Sequence, residues 1–296
     1  MREHIDYSHP EAPVYIRRLE SFDEGVRMME KALRRGITNQ GESSLEVSDS
    51  GWYGTRTMAE AIDQAKYGWQ EGTTRFREAV GTIVIDQLVG ERQNFHSFYA
   101  VAGDEPDIDR YLAGEPENMR TYELRQEPGG KLATFVINNS VSCRVSPERI
   151  INRGVAIAAA HAALTAEGYS IGVEIASARQ LGDESGYLEY HIPIVHPGGY
   201  ISEDTLAWSI ISPAILRRMM FALDEDNTPE FRAKLGAYSG GGYGTPHDIL
   251  SSLPPSTLLV DRNEGLDLNS PEAITNFAQN MVNRTTVLLQ EAPTSN

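Results

Sequence analysis

Apolar positions along the chain switch between a helical and a strand-like period, and the switches mark its elements. The run Leu132-Ala133-Thr134-Phe135-Val136-Ile137 is apolar almost throughout, as a buried strand requires. It breaks into Asn138-Asn139-Ser140-Val141-Ser142-Cys143, a polar turn rich in oxygen ligands. Ser146-Pro147-Glu148 then begins a helix that Gly168 ends. Strand, polar turn and helix in that order place the turn at the carboxyl end of a strand, where open α/β sheets keep their ligand sites.

The first half of the chain reads mainly as helix. Residues 1–20 hold two prolines and alternate little, which suggests an extended arm. Ser21 caps a helix over 22–35, with Glu24 three residues on and Gly36 past its end. Phe22, Val26, Met29 and Leu33 fall on one face of it. A polar loop over 38–51 leads to a helix over 57–67 with Met58, Ala61, Ile62 and Ala65 inward. After a break at 68–72, a helix over 73–88 carries a stripe from Phe76 to Leu88. Trp52 and Trp69 flank the shorter helix and pin it to a core. Strands follow over 95–102 and 119–125, separated by an acidic stretch with a helical turn at 107–112. That stretch lacks the residue order of a calcium loop.

Beyond the central unit, strands are expected over 170–176, 187–195 and 256–260. Pro193 assigns the second of these to a sheet edge, because proline cannot donate to a ladder. Helices are expected from Ser202 into Trp208, over 214–223 and over 270–289. The glycine-rich loop at 239–244 lacks the Lys-Ser/Thr of a phosphate-binding loop. The division that results is a mostly helical N-terminal region over 1–130 and a three-layer α/β sheet domain over 131–296.

Composition narrows the partners. A formal net charge of -16 argues against nucleic acid, whose phosphates call for clustered Lys and Arg. A single cysteine, Cys143, excludes an intrachain disulfide and fits a reducing compartment. No apolar run approaches the roughly 18 residues of a membrane helix, so a soluble, cytoplasmic protein with no membrane partner is expected.

The unit from Leu132 onward resembles a von Willebrand factor A-like domain. Such domains carry Asp-x-Ser-x-Ser after their first strand, and the corresponding residues here are Asn138, Ser140 and Ser142. The resemblance implies a degenerate metal-ion-dependent adhesion-type turn, with Thr205 and Asp261 as the remaining ligand positions and magnesium as the cation. Asn138 in place of a carboxylate takes a negative charge from that set. The segments at Gly51-Trp52, 113–116 and Asn152-Arg153-Gly154 resemble uncharacterised proteins encoded by tailed bacteriophages. Together these imply non-enzymatic protein–protein interaction or assembly, with a phage or host protein as partner. A metal-dependent hydrolase, an acidic inhibitor or DNA mimic, and a virion structural component stand as alternatives.

Other constellations are weaker. Glu189 and His191, two apart on a strand, share a face and could supply two zinc ligands, with His196 beyond Pro193. Cys143 and His161 lie too far apart for a nucleophile pair, and a buried inert thiol is expected. Arg217 and Arg218 read as solvated arginines on a half-buried helix. The standard catalytic motifs are absent from the sequence.

Overall fold

The computed structural model describes residues 1–36, 50–82, 95–103, 105–124, 132–182, 184–235 and 244–291. The loop over 38–49, the helix end at 83–88, the turn at 126–130 and most of the glycine-rich loop therefore lie outside the described residues. The architecture is mixed α/β.

Seven strands form one sheet. In chain order its members are β1 (Arg2–Asp6), β2 (Val14–Arg18), β6 (Leu132–Asn138), β7 (Ser170–Gln180), β8 (Tyr187–Val195), β9 (Thr245–Pro246) and β10 (Thr257–Val260). Their spatial order is β1-β2-β8-β7-β6-β10, and the short β9 pairs with the end of β7. β6 runs parallel to both β7 and β10, whereas β8 is antiparallel to β7 and parallel to β2. β3 (Phe95–Ala100), β4 (Glu105–Pro106) and β5 (Met119–Leu124) make a separate antiparallel sheet in the order β3-β5-β4.

Two strand expectations are corrected. Residues 1–20 are not an arm but part of the main sheet, which β1 and β2 extend through a five-residue antiparallel register. β8 is not an edge strand, since it lies between β7 and β2. Pro193 is tolerated there for a local reason. Pairing with β2 stops at His191, and the register with β7 shifts between Val173 and Glu174. The proline thus falls past one neighbour and beside an irregularity in the other.

The helices are α1 (Phe22–Arg35), α2 (Ser50–Tyr53), α3 (Met58–Tyr67), α4 (Gln70–Thr82), α5 (Ile108–Leu112), α6 (Pro147–Ala166), α7 (Glu203–Ile211), α8 (Phe221–Glu225), α9 (Pro229–Lys234) and α10 (Pro271–Glu291). Ser21 caps α1 through Glu24 N–H, and Gly36 ends it in the left-handed region at φ 56°. Phe22, Val26 and Met29 are buried as expected, but Leu33 turns outward and Ala32 takes the inner place. α3 buries Met58, Ala61, Ile62 and Ala65, the four residues its period marks.

α6 is buried on nearly all sides, which explains its alanine-rich composition. A Cβ on Gly154 would stand 2.4 Å from Ile210 O, so only glycine lets α7 cross α6 this closely. Helix residues join alternate strand residues (Phe135, Ile137, Val173, Ile175, Leu188, Tyr190, Ile192) in one apolar cluster. Strand residues of the other parity face away from it. There Val14, Ile16 and Tyr187 form a small second cluster with Ala12 and Leu250, which no helix residue joins.

The arginines of the Arg217-Arg218 pair are buried, not solvated. They lie on a π-helical turn, Ile215–Met220, and reach the 52–56 segment. Arg217 donates to Trp52 O and Val145 O, each at 2.6 Å, and its guanidinium lies 4.2 Å from the Trp52 ring centroid. Arg218 donates to Thr55 O at 3.0 Å and Arg56 O at 3.1 Å, over the Tyr53 ring. Backbone carbonyls and ring faces thus replace water around both cations.

Candidate functional site

Of the polar groups buried among the described residues, two sets hold positions marked in the sequence: the turn after β6, and a charged cluster on the sheet face turned away from the main core. The turn's side chains are committed to one another, to the end of β7 and to the 247 backbone. Asn138 Oδ1 accepts from Ser140 N at 3.0 Å, and Asn138 Nδ2 donates to His247 O at 3.0 Å. Ser140 Oγ accepts from Ala178 N at 2.5 Å and meets Ser177 Oγ at 3.2 Å. Both side chains are buried. Ser142 is exposed, and its Oγ accepts from Arg144 N at 3.3 Å. Thr205 sits in the first turn of α7, where its N–H and Oγ1 both bond Ser202 Oγ. Asp261 directly follows β10, whose Val260 pairs with Ile137, so it stands beside Asn138.

Beneath this end of the sheet lies Arg153, only 2% exposed. Its Nη2 donates to Asn138 O at 3.1 Å, Val260 O at 3.3 Å and Asp261 O at 2.8 Å. Burial lowers its pKa to about 10, against the raising effect of Glu264 and Asp261. Burial, then the charges of Asp248 and Glu264, raises the Asp261 carboxyl. The structure therefore brings Asn138, Ser140 and Asp261 together, while the hydrogen bonds of Ser142 and Thr205 are local. Magnesium does not fit this donor set. The Asn138 and Ser140 oxygens already accept backbone N–H bonds, and a guanidinium holds the neighbouring carbonyls. Among the described residues, no group of three or more His, Cys, Asp or Glu is arranged to hold a metal.

The second place is built by strand register. Arg18 on β2 and Ala176 on β7 both pair with His191 on β8. Glu174 is two residues before Ala176 and Glu189 two before His191, so period two puts all of them on one face. His191 Nδ1 lies 2.5 Å from Glu174 Oε1, and Nε2 lies 3.3 Å from both Glu189 Oε2 and Ser251 Oγ. Glu189 Oε1 accepts the N–H groups of Leu250 at 2.6 Å and Ser251 at 3.2 Å, tying the 250–251 segment to the sheet. His191 and Glu189 are fully buried.

Burial works against the His191 imidazolium, but the hydrogen bonds to Glu174 and Glu189 outweigh it and raise the pKa above 6.5. Burial likewise disfavours the charged forms of Glu174 and Glu189. The His191 hydrogen bond, joined by the His191 and Arg18 charges at Glu174 and by the Ser251 and Leu250 hydrogen bonds at Glu189, outweighs it, and both carboxyls are held below their ordinary value. With a carboxylate facing each ring nitrogen, the arrangement favours the imidazolium, which donates from both. Ser251, His191 and Glu174 have the connectivity of nucleophile, base and orienting acid. A protonated ring facing a second carboxylate offers Ser251 no lone pair, however, and offers a metal no nitrogen.

The alternation at Glu189 and His191 marked half of this cluster. Glu174 was missed, although a carboxylate inside the apolar run Ile171-Gly172-Val173-Glu174-Ile175 signals a buried partner. His196 is exposed, outside the cluster. Cys143 is exposed too, contrary to the buried thiol expected from composition.

No curated protein and no solved structure matches the chain. A family model described as a domain of unknown function, DUF7192, matches residues 3–280, and the chain belongs to that family.

Proposed function

We propose that the protein is a non-enzymatic interaction protein, with a von Willebrand factor A-like sheet as its scaffold and the small 95–124 module as its contact surface. One observation carries this reading. Ile108, Tyr111 and Leu112, at helical spacing on α5, are 60%, 66% and 77% exposed, and Val101 beside them in sequence is 73% exposed. Large apolar side chains grouped in this way on a charged surface mark recognition sites more often than isolated ones do. Glu105, Asp107, Asp109, Glu115 and Glu117 surround them in sequence, against Arg110 alone. A partner with an apolar centre and a basic rim suits such a surface.

The scaffold reading draws support from the unit β6, polar turn, α6 and β7, with β10 parallel beside β6. The turn itself contributes less to contact, because the Asn138 and Ser140 side chains are spent internally. In a phage-encoded setting the partner is another phage protein or a host factor. The test is a triple variant, Ile108→Ser with Tyr111→Ser and Leu112→Ser, compared with the native protein in salt-graded affinity capture and ultracentrifugation. The expected result is a stoichiometric complex that weakens with salt and disappears in the variant, with an unchanged Tm. A variant that keeps every native partner and the native association state would overturn the proposal.

A further inference from the structure

A cavity of about 280 Å³ opens over the outer face of β1 and β2, roofed by Ser251 and Ser252. Its floor follows from the register: Arg2 stands opposite Arg18, and His4 opposite Ile16. Like charges directly across an antiparallel pair are unfavourable, yet two arginines meet here. Arg18 is partly balanced by Glu174 at 3.5 Å, a carboxylate whose same oxygen already holds His191. Arg2 makes no ion pair among the described residues. Neither of the two acids that also line the cavity relieves it. Glu3 pairs with Arg17 at 3.1 Å, and Asp6, at the far end of β1, accepts from Ser8 N at 2.8 Å.

We infer that this cavity is a binding site for a small oxyanion, a carboxylate or a phosphate monoester, bridged between Arg2 and Arg18 and hydrogen-bonded by Ser251 and Ser252. Two guanidinium forks suit an oxyanion because each can donate two parallel bonds to it. The serines add neutral donors at the roof. The anion removes the repulsion that the register creates, so the ligand completes the sheet edge. This site does not depend on the 95–124 surface.

The experiment is calorimetric titration of inorganic phosphate and, separately, acetate into the full chain at low, constant ionic strength, with sodium chloride as the control. Saturable binding is expected for at least one anion, accompanied by a rise in Tm that chloride does not reproduce. Preference between the two identifies the ligand class. Arg2→Ala, at an exposed position, should weaken binding about tenfold, a difference of about 1.4 kcal/mol, without lowering the Tm of the anion-free protein. Arg2→Lys, which keeps the charge but loses the fork, should fall between. The inference is overturned if the native protein binds neither anion saturably, or if Arg2→Ala binds as tightly as the native chain.

Discussion

Arg153 and His191 are both buried cations, and they are held in opposite ways. Arg153 rests on three backbone carbonyls at the ends of β6 and β10, with no carboxylate among the described residues hydrogen-bonded to it. His191 sits between the side-chain carboxylates of Glu174 and Glu189. The carbonyls cannot titrate and a guanidinium barely does, so the first arrangement is constant over ordinary pH. In the second, all three members titrate, and it therefore carries a pH window. Arg217 and Arg218, on the carbonyls of the 52–56 segment and Val145, belong with Arg153. The fold uses fixed dipoles where it must be rigid, and mutual ionisation where strands and an outer segment are joined.

The largest effect should come from removing the fixed arrangement. Arg153→Met fills similar volume but strands the carbonyls of Asn138, Val260 and Asp261 at the base of the turn. Loss of one partner from a buried charged network costs about 3–5 kcal/mol, and the upper half of that range is expected here. Urea unfolding at pH 5.5 and 8 should give the same loss at both values. A loss that varies strongly with pH would break the distinction between the two cations.

The next effect is smaller and depends on pH. Glu174 and Glu189 have folded pKa values below 4.5, so their contribution is present above about that pH and fades as pH falls through the folded values. His191 has a folded pKa above 6.5, so its contribution is complete below that pH and fades as pH rises through the folded value. Asp224 adds a slope of its own. Burial, only partly offset by Arg179, raises its carboxyl to about 7, so its contribution declines as pH rises through that value and runs out only above it. The His191 signature is therefore read above pH 7. His191→Gln should cost about 2 kcal/mol at pH 6 and flatten the stability profile above pH 7. An unchanged slope there would show that His191 is neutral in the folded protein.

Elements with a strong local signal were legible in the sequence. α1 has its Ser21 cap and Gly36 stop, α3 has four inward residues at helical spacing, and β6, α6 and β10 are bounded by polar punctuation. What could not be read depends on distant partners. β2 carries little alternation because Tyr15 packs on the main core while Val14 and Ile16 meet the other cluster with Leu250, and β1 is nearly all exposed. β8 looked like an edge because Pro193 is visible in sequence, whereas the register shift that accommodates it is not. The arginines of Arg217-Arg218 looked solvated because their partners are carbonyls more than 70 residues away. At the turn, Asn138 and Ser140 were legible as polar oxygens, but whether those oxygens are free is a tertiary fact.

The smallest predicted effect tests whether the turn's charge is already supplied. Asn138→Asp places a carboxylate where von Willebrand factor A-like domains carry one, beside the carbonyls that Arg153 holds. If the guanidinium stands in for a cation, the new carboxylate finds a positive charge close by while losing the Nδ2 bond to His247 O. These changes oppose each other, and a net stability change within about 1 kcal/mol is expected. Neither the native protein nor Asn138→Asp should then bind magnesium or manganese saturably at millimolar concentration in a calorimetric titration. Binding by the variant alone would mean that Arg153 yields to an ion once a carboxylate is present. Binding by the native protein, lost in Ser140→Ala, would mean that the turn opens in solution and that its buried oxygens are not committed to the backbone.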